Sequence, residues 1–270
     1  MLRNIITALT SATRSLFGNW KTTIAFVLLY AAFVFSLYLF FTTPEARLWQ
    51  VAFMFLLLLV IPVLFFVLQA MGLNYTNTPT KLGALVGQAA REFWKLLLIS
   101  LPFIVLFSLL VWGVNKLETI GVTGIREAAN SSEQFKTGEA RIKLINTTAA
   151  TVNGLLMYFI LPLLAIQLWI STLRDGLKST LKSLARHIFR AFAPRAVVTY
   201  LLGFIVFGIL PYYIITMRTP IKSPWLDLSV LGLRIVIALL ALLFGWVVTL
   251  GAMKILTAEN NPEIVQAEQA

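Results

Sequence analysis

The chain has 270 residues, 59% of them hydrophobic and only 12% charged, with a mean hydropathy of +0.86. A soluble domain carries about 25% charged residues, so much of this surface is built to face hydrocarbon, and the length suits one helical bundle with no room for a separate catalytic domain. With no Cys and a single His, disulfides, thiolate metal sites, iron–sulfur clusters, Cys nucleophiles and His-based metal clusters are excluded, and the net charge of +11 belongs to basic residues beside apolar runs, not to a nucleic-acid-binding module.

In chain order, the first segment places Ile5, Leu9 and Leu16 on one helical face with Arg3 and Arg14 nearby. The first apolar run, Ile24 to Phe41, is longer than a signal-peptide core and lacks a small-x-small cleavage site, so it reads as a retained span. Runs long enough to cross a bilayer occur at about 22–41, 50–71, 95–114, 151–171, 196–216 and 229–255. Trp20, Trp49, Trp94, Trp112, Trp169 and Trp225 mark span ends, as expected of interfacial belts. Between spans two and three, Thr78-Pro79 reads as a helix start, followed by a face of Leu82, Leu85, Val86, Ala89 and Phe93.

The long connection 115–150 mixes Gly, Ser, Asn, Lys and Glu, and its second half, Glu133 to Thr148, reads as a helical extension of span four. Asn130-Ser131-Ser132 and Asn146-Thr147-Thr148 match the glycosylation pattern. Beyond span four, Leu173, Leu177, Leu181, Leu184, Ile188 and Phe192 form one apolar stripe, with Arg174, Lys178, Lys182, Arg186 and Arg190 as a parallel basic row. Such a helix lies in the interface, its basic row on anionic headgroups or on a partner. Gly176 and Pro194 bound it, and an acidic tail, 257–270, ends the chain.

Lys and Arg in short segments close to the spans gather on one side: Arg3, Arg14, Lys21, Lys81, Arg91, Lys95, the 174–195 group and Lys254. The positive-inside rule then puts both termini in the cytoplasm, with a bacterial cytoplasmic membrane as the expected location. The fold class is all-α, a polytopic membrane bundle of about six transmembrane helices with inner-leaflet amphipathic helices. Residues 1–256 form a single domain of three units, about 1–71, 78–172 and 173–256, each an inner helix, a span out, a loop and a span back. Pro62 and Pro162 occupy similar places in two of them, so a threefold hairpin repeat is one reading and recruitment of basic and aromatic residues at any interface is the other.

Mitochondrial carriers share the outline of six spans in three units, but their Pro-x-acid-x-x-base signature is absent at Pro62 and Pro162. The junction Arg91-Glu92-Phe93-Trp94-Lys95 followed by Leu96-Leu97-Leu98, together with the layout, resembles bacterial six-span proteins related to the membrane domain of some glycerophosphodiester phosphodiesterases. No segment here corresponds to their soluble catalytic domain, so the resemblance implies the layout and no activity.

Within the spans no Asp, Glu or His falls at mid-depth, and the candidate polar site is limited to Gln69, Asn153, Gln167 and Arg234. Ionisable groups inside a membrane mark function by default. Arg234 reads either as snorkelling outward towards Asp227 or as facing an outer cavity, and the amides as interhelical hydrogen bonds or a substrate path. His187, beside Arg186, reads as solvated or lipid-facing. No nucleophile–base pair, phosphate loop or metal spacing is present, so neither catalysis nor a cofactor is expected. The expectation is a transport or lipid-handling membrane component in contact with the anionic inner leaflet. The alternative is an accessory or scaffold subunit contacting other subunits of a membrane complex.

Overall fold

The computed structural model describes residues 1–44, 46–76, 81–128, 132–217 and 224–259, without the side chains of 128, 132–137, 224 and 259. Thr78-Pro79, Asn130-Ser131, Arg218, Lys222 and the tail from 260 lie outside these residues.

Every element among the described residues is helical. In hydrocarbon a backbone must satisfy its own hydrogen bonds, and a helix does so within one segment. The helices are α1 (Leu2–Phe17), α2 (Trp20–Thr42), α3 (Leu48–Asn74), α4 (Leu82–Ala128), α5 (Ser132–Leu155), α6 (Leu161–Asp175), α7 (Leu177–Lys182), α8 (Leu184–Ala191), α9 (Pro194–Phe204), α10 (Leu210–Thr216) and α11 (Pro224–Glu259). Six segments are long and apolar enough to cross a membrane: Trp20–Thr42, Leu48–Asn74, Leu82–Glu127, Gly138–Asp175, Pro194–Thr216 and Trp225–Ala258. The chain is thus an all-α, multi-pass membrane bundle. Alternation of the spans gathers Lys21, Lys81, Arg91, Lys95, Arg195 and Lys254 on one side, hereafter the basic face; α4 and α5 meet on the other.

Packing is tightest towards the basic face. The last turns of α3 from Leu68 to Asn74, α6 from Ile166 to Thr172 and α11 from Leu250 to Met253 are buried, whereas the opposite halves show large apolar side chains such as Phe55, Leu59, Leu109 and Leu233. Span six is central: α11 packs against α1, α2, α3, α6, α9 and α10. Small residues let the helices approach. A Cβ on Gly203 of α9 would sit 2.0 Å from Thr249 Oγ1 of α11, so only Gly fits that crossing.

Four prolines lie inside the spans, away from their ends, with two outcomes. α3 and α4 run through Pro62 and Pro102 as α-helix. Leu156–Ile160 and Ile205–Ile209 instead form π-helical turns that end just before Leu161-Pro162 and Leu210-Pro211. A proline has no N–H for the carbonyl four residues earlier. For Pro162 that carbonyl belongs to Tyr158, and it accepts the Tyr200 hydroxyl of α9 at 2.5 Å.

Three expectations need correction. The three segments preceding the odd-numbered spans are not alike. α1 is separate from α2, the second segment runs unbroken into span three as the 47-residue α4, and the third is two short helices split at Ser183. The connection after span three is helical in its first half too: α4 continues to Ala128 and pairs with α5. There Ile145 lies 3.2 Å from where a Gly121 Cβ would be, and Asn153 Nδ2 donates to Asn115 Oδ1 at 2.7 Å, so interhelical packing outweighs the weak helix propensity of Gly121 and Gly124. Trp169, finally, is no interfacial belt residue. It is buried, and its indole donates to Ser100 Oγ at 2.8 Å.

Candidate headgroup site

At the end of α6 the chain must turn sharply, and Gly176 supplies the backbone for it with φ 81, a conformation that strains other residues. The residues before the turn, Arg174 and Asp175, form a bidentate pair: Arg174 Nε and Nη2 each lie 2.8 Å from an Asp175 carboxylate oxygen. That pairing fixes the guanidinium plane at the mouth of the bundle.

α8 is held against α6 by His187, which is buried. Its Nδ1 lies 2.9 Å from Ser171 Oγ, and its Nε2 lies 2.9 Å from Ser183 Oγ. Ser183 also donates its hydroxyl to the Ser179 carbonyl at 2.9 Å. That network assigns the proton to Nε2, donating to Ser183, with Ser171 donating to Nδ1. Burial lowers the His187 pKa below its ordinary value; Arg190 adds to this, Asp175 opposes it, and Arg174 and Arg186 lower it further. The imidazole is therefore a neutral tie between helices, which replaces the solvated reading.

Anchored in this way, α8 ends at Ala191, and Pro194 opens α9 at a first-turn position that suits its fixed φ. The corner brings Arg190 and Arg195 together. With Arg174 and the buried Gln167 they line a pocket of about 280 Å³ whose remaining wall includes Ala196, Met253 and Leu256. A second pocket, also about 280 Å³, shares Arg174 and Thr257 with the first and adds Asn74, Gln88, Glu92 and Lys254. In it the Glu92 carboxylate accepts from Asn74 Nδ2 at 2.8 Å and from Gln88 Nε2 at 3.3 Å. The vestibule on the basic face therefore has two lobes. One is lined by three arginines, of which Arg174 is paired with Asp175, and the other holds Glu92 with Lys254 and the shared Arg174.

Of the expected basic row, Arg174 and Arg190 meet in the first lobe. Lys178, Lys182 and Arg186 do not join them and are exposed on α7 and α8. The row assumed one continuous helix, and the breaks at Gly176 and Ser183 change its phase. The four candidate polar residues are not brought together either. Gln69 Oε1 accepts from the Trp246 indole at 2.7 Å, joining α3 to α11. Asn153 joins α5 to α4, and Gln167 lines the arginine lobe. Arg234 donates through Nη1 to the Met217 carbonyl at the end of α10, not to Asp227.

Sequence reading missed Arg195, Glu92, Asn74 and Lys254 as site residues. Two of them carried a signal: Glu92 is the single acid between Lys81 and Lys95, and Lys254 interrupts the last apolar run. No family model, curated protein or solved structure matches the chain.

Proposed function

We propose that this protein is a lipid-handling component of a bacterial cytoplasmic membrane, non-enzymatic, with its basic face in the cytoplasm, and that the vestibule receives the phosphate of an anionic lipid headgroup. One observation carries the reading: Arg174, Arg190 and Arg195 line one pocket, whose other lining includes Gln167 and carbon from Ala196, Met253 and Leu256. Guanidinium planes match phosphate oxygens two at a time, and a carbon wall beside them suits the glycerol and first methylenes of a lipid. Excess positive charge on this face, next to the spans, fits both the positive-inside rule and attraction to an anionic leaflet.

Native mass spectrometry of the intact protein released from vesicles of equal phosphatidylglycerol and phosphatidylcholine tests this. The expected result is a retained phosphatidylglycerol adduct that Arg190→Gln with Arg195→Gln removes. Equal retention of both lipids, or an adduct that survives the double substitution, would overturn the reading.

The accessory-subunit alternative draws on a different observation. Between the vestibule and mid-membrane, Gln69, Ala70, Leu96 and Leu250 are all buried. A polar route across the bundle requires this layer to separate, which favours a role confined to one leaflet or shared with other subunits. Co-purification of a stoichiometric partner in mild detergent, lost on exchange into a harsher one, is the outcome that reading expects.

A further inference from the structure

Beyond that packed layer, α3, α4, α6 and α11 enclose a second kind of cavity, about 300 Å³, whose walls include Phe66, Phe103, Ile104, Pro162, Ala165 and Trp169. Its depth follows from helix geometry. Phe66 lies eight residues before Asn74, at which α3 ends, and at 1.5 Å per residue this is about 12 Å into the bilayer from the basic face. Half of a hydrocarbon core is about 15 Å. The cavity therefore sits near mid-membrane.

The polar groups at its edge are already engaged by the protein. The Trp169 indole donates to Ser100 Oγ at 2.8 Å, and that hydroxyl donates to the Leu96 carbonyl at 2.7 Å. The Trp246 indole is held by Gln69 at 2.7 Å. A buried water needs two to four polar partners, and these walls present carbon instead. The aromatic residues of the wall pack on one another: Trp169 meets Phe65 and Phe66 edge-on, with centroids 6.3 and 6.1 Å away. Ile104 of α4, 46% exposed, is one of the lining residues, so the cavity reaches the outer surface of the bundle beside that helix. The only medium at that depth and on that side is the hydrocarbon of the bilayer.

We infer that this cavity is a binding site for one hydrocarbon chain of a membrane lipid, entering laterally beside α4. Its volume is at the small end of ligand pockets, roughly 300–1,000 Å³, which admits a chain segment and excludes a whole lipid. The indole–Ser100 and indole–Gln69 bonds keep the wall apolar: without them the cavity would present donors that a chain cannot satisfy. The site is independent of the arginine vestibule, because the layer of Gln69, Ala70, Leu96 and Leu250 separates them.

The test is photolabelling in vesicles of phosphatidylcholine that contain a small fraction of the same lipid with a diazirine midway along one acyl chain. This headgroup is zwitterionic, so the result does not depend on the arginines. Labelling is expected to concentrate on peptides holding Phe103–Ile104 and Leu161–Ala165. It should fall several-fold in Ala165→Phe, which fills the cavity, and in Ile104→Trp, which narrows its mouth from a lipid-facing position. Arg190→Gln with Arg195→Gln should leave it unchanged. If Ala165→Phe does not fold, Ile104→Trp decides. Labelling spread evenly over lipid-facing residues such as Leu109 and Leu233, or undiminished by Ile104→Trp, overturns the inference, and it does so whether or not the vestibule binds a headgroup.

Discussion

The Tyr200 hydroxyl of span five is bonded to the Tyr158 carbonyl of span four, the carbonyl that Pro162 leaves without a helical donor. One side chain thus repairs the hydrogen-bond gap of a neighbouring helix and ties two spans together at the π-helical turn. It places the α9 end of the arginine corner relative to α6, the helix that carries Gln167 and Arg174.

Replacing Tyr200 by Phe should therefore destabilise the bundle by about 1 kcal/mol, within the range measured for interhelical hydrogen bonds in membranes. Unfolding in mixed micelles measures it. In a Pro162→Ala background the helix regains its own donor, and Tyr200→Phe should then cost close to nothing. A double-mutant cycle separates this from simple loss of packing. Equal costs in both backgrounds would contradict the assignment.

Spans five and six should be equally sensitive at their closest crossing. Gly203→Ala would put a methyl group 2.0 Å from Thr249 Oγ1, and overpacking of this kind costs about 1–3 kcal/mol. Adding Thr249→Ala removes the nearest atoms and should restore part of the loss. Resistance to SDS-induced unfolding is a suitable measurement, and a neutral Gly203→Ala would show that the crossing is looser than it stands here.

Acid should loosen the α6–α8 corner. His187 is held neutral below its ordinary pKa by burial and by Arg190. The folded state therefore binds fewer protons than the unfolded one below about pH 6.5, and stability that is present above that value is lost as pH falls. Melting temperature in detergent should drop between about pH 7.5 and 5.5. His187→Gln, which keeps one donor and one acceptor for Ser171 and Ser183, should flatten that slope. Identical slopes for the two proteins would rule out this histidine as the source.

The sequence made the spans legible because run length in hydrocarbon is a strong constraint: Trp20, Trp49 and Trp225 do lie in the first turns of α2, α3 and α11. Trp169 misled because an indole in a packed interior and one at the headgroup level look the same in a list of residues. The extension of α4 past Lys116 was hidden by Gly121 and Gly124, whose low propensity is offset by the pairing of α4 with α5, in which Ile145 packs on Gly121. The arginine corner was half visible. A step of four marked Arg174 and Arg190 as neighbours of Lys178, Lys182 and Arg186, but their convergence with Arg195 depends on the breaks at Gly176, Ser183 and Pro194. Periodicity assumes a straight helix, and the site exists because this one is not straight.

The most direct test of the headgroup reading is the lipid content of the protein purified from native membranes in mild detergent. Anionic phospholipid should be enriched over its share of the bulk membrane, and Arg190→Gln with Arg195→Gln should return the ratio to the bulk value. The Lys178→Gln, Lys182→Gln control should leave the enrichment in place, because those side chains lie outside the vestibule. A lipid composition equal to that of the bulk membrane in the unaltered protein, or enrichment lost only with the exposed lysines, would contradict the arginine site.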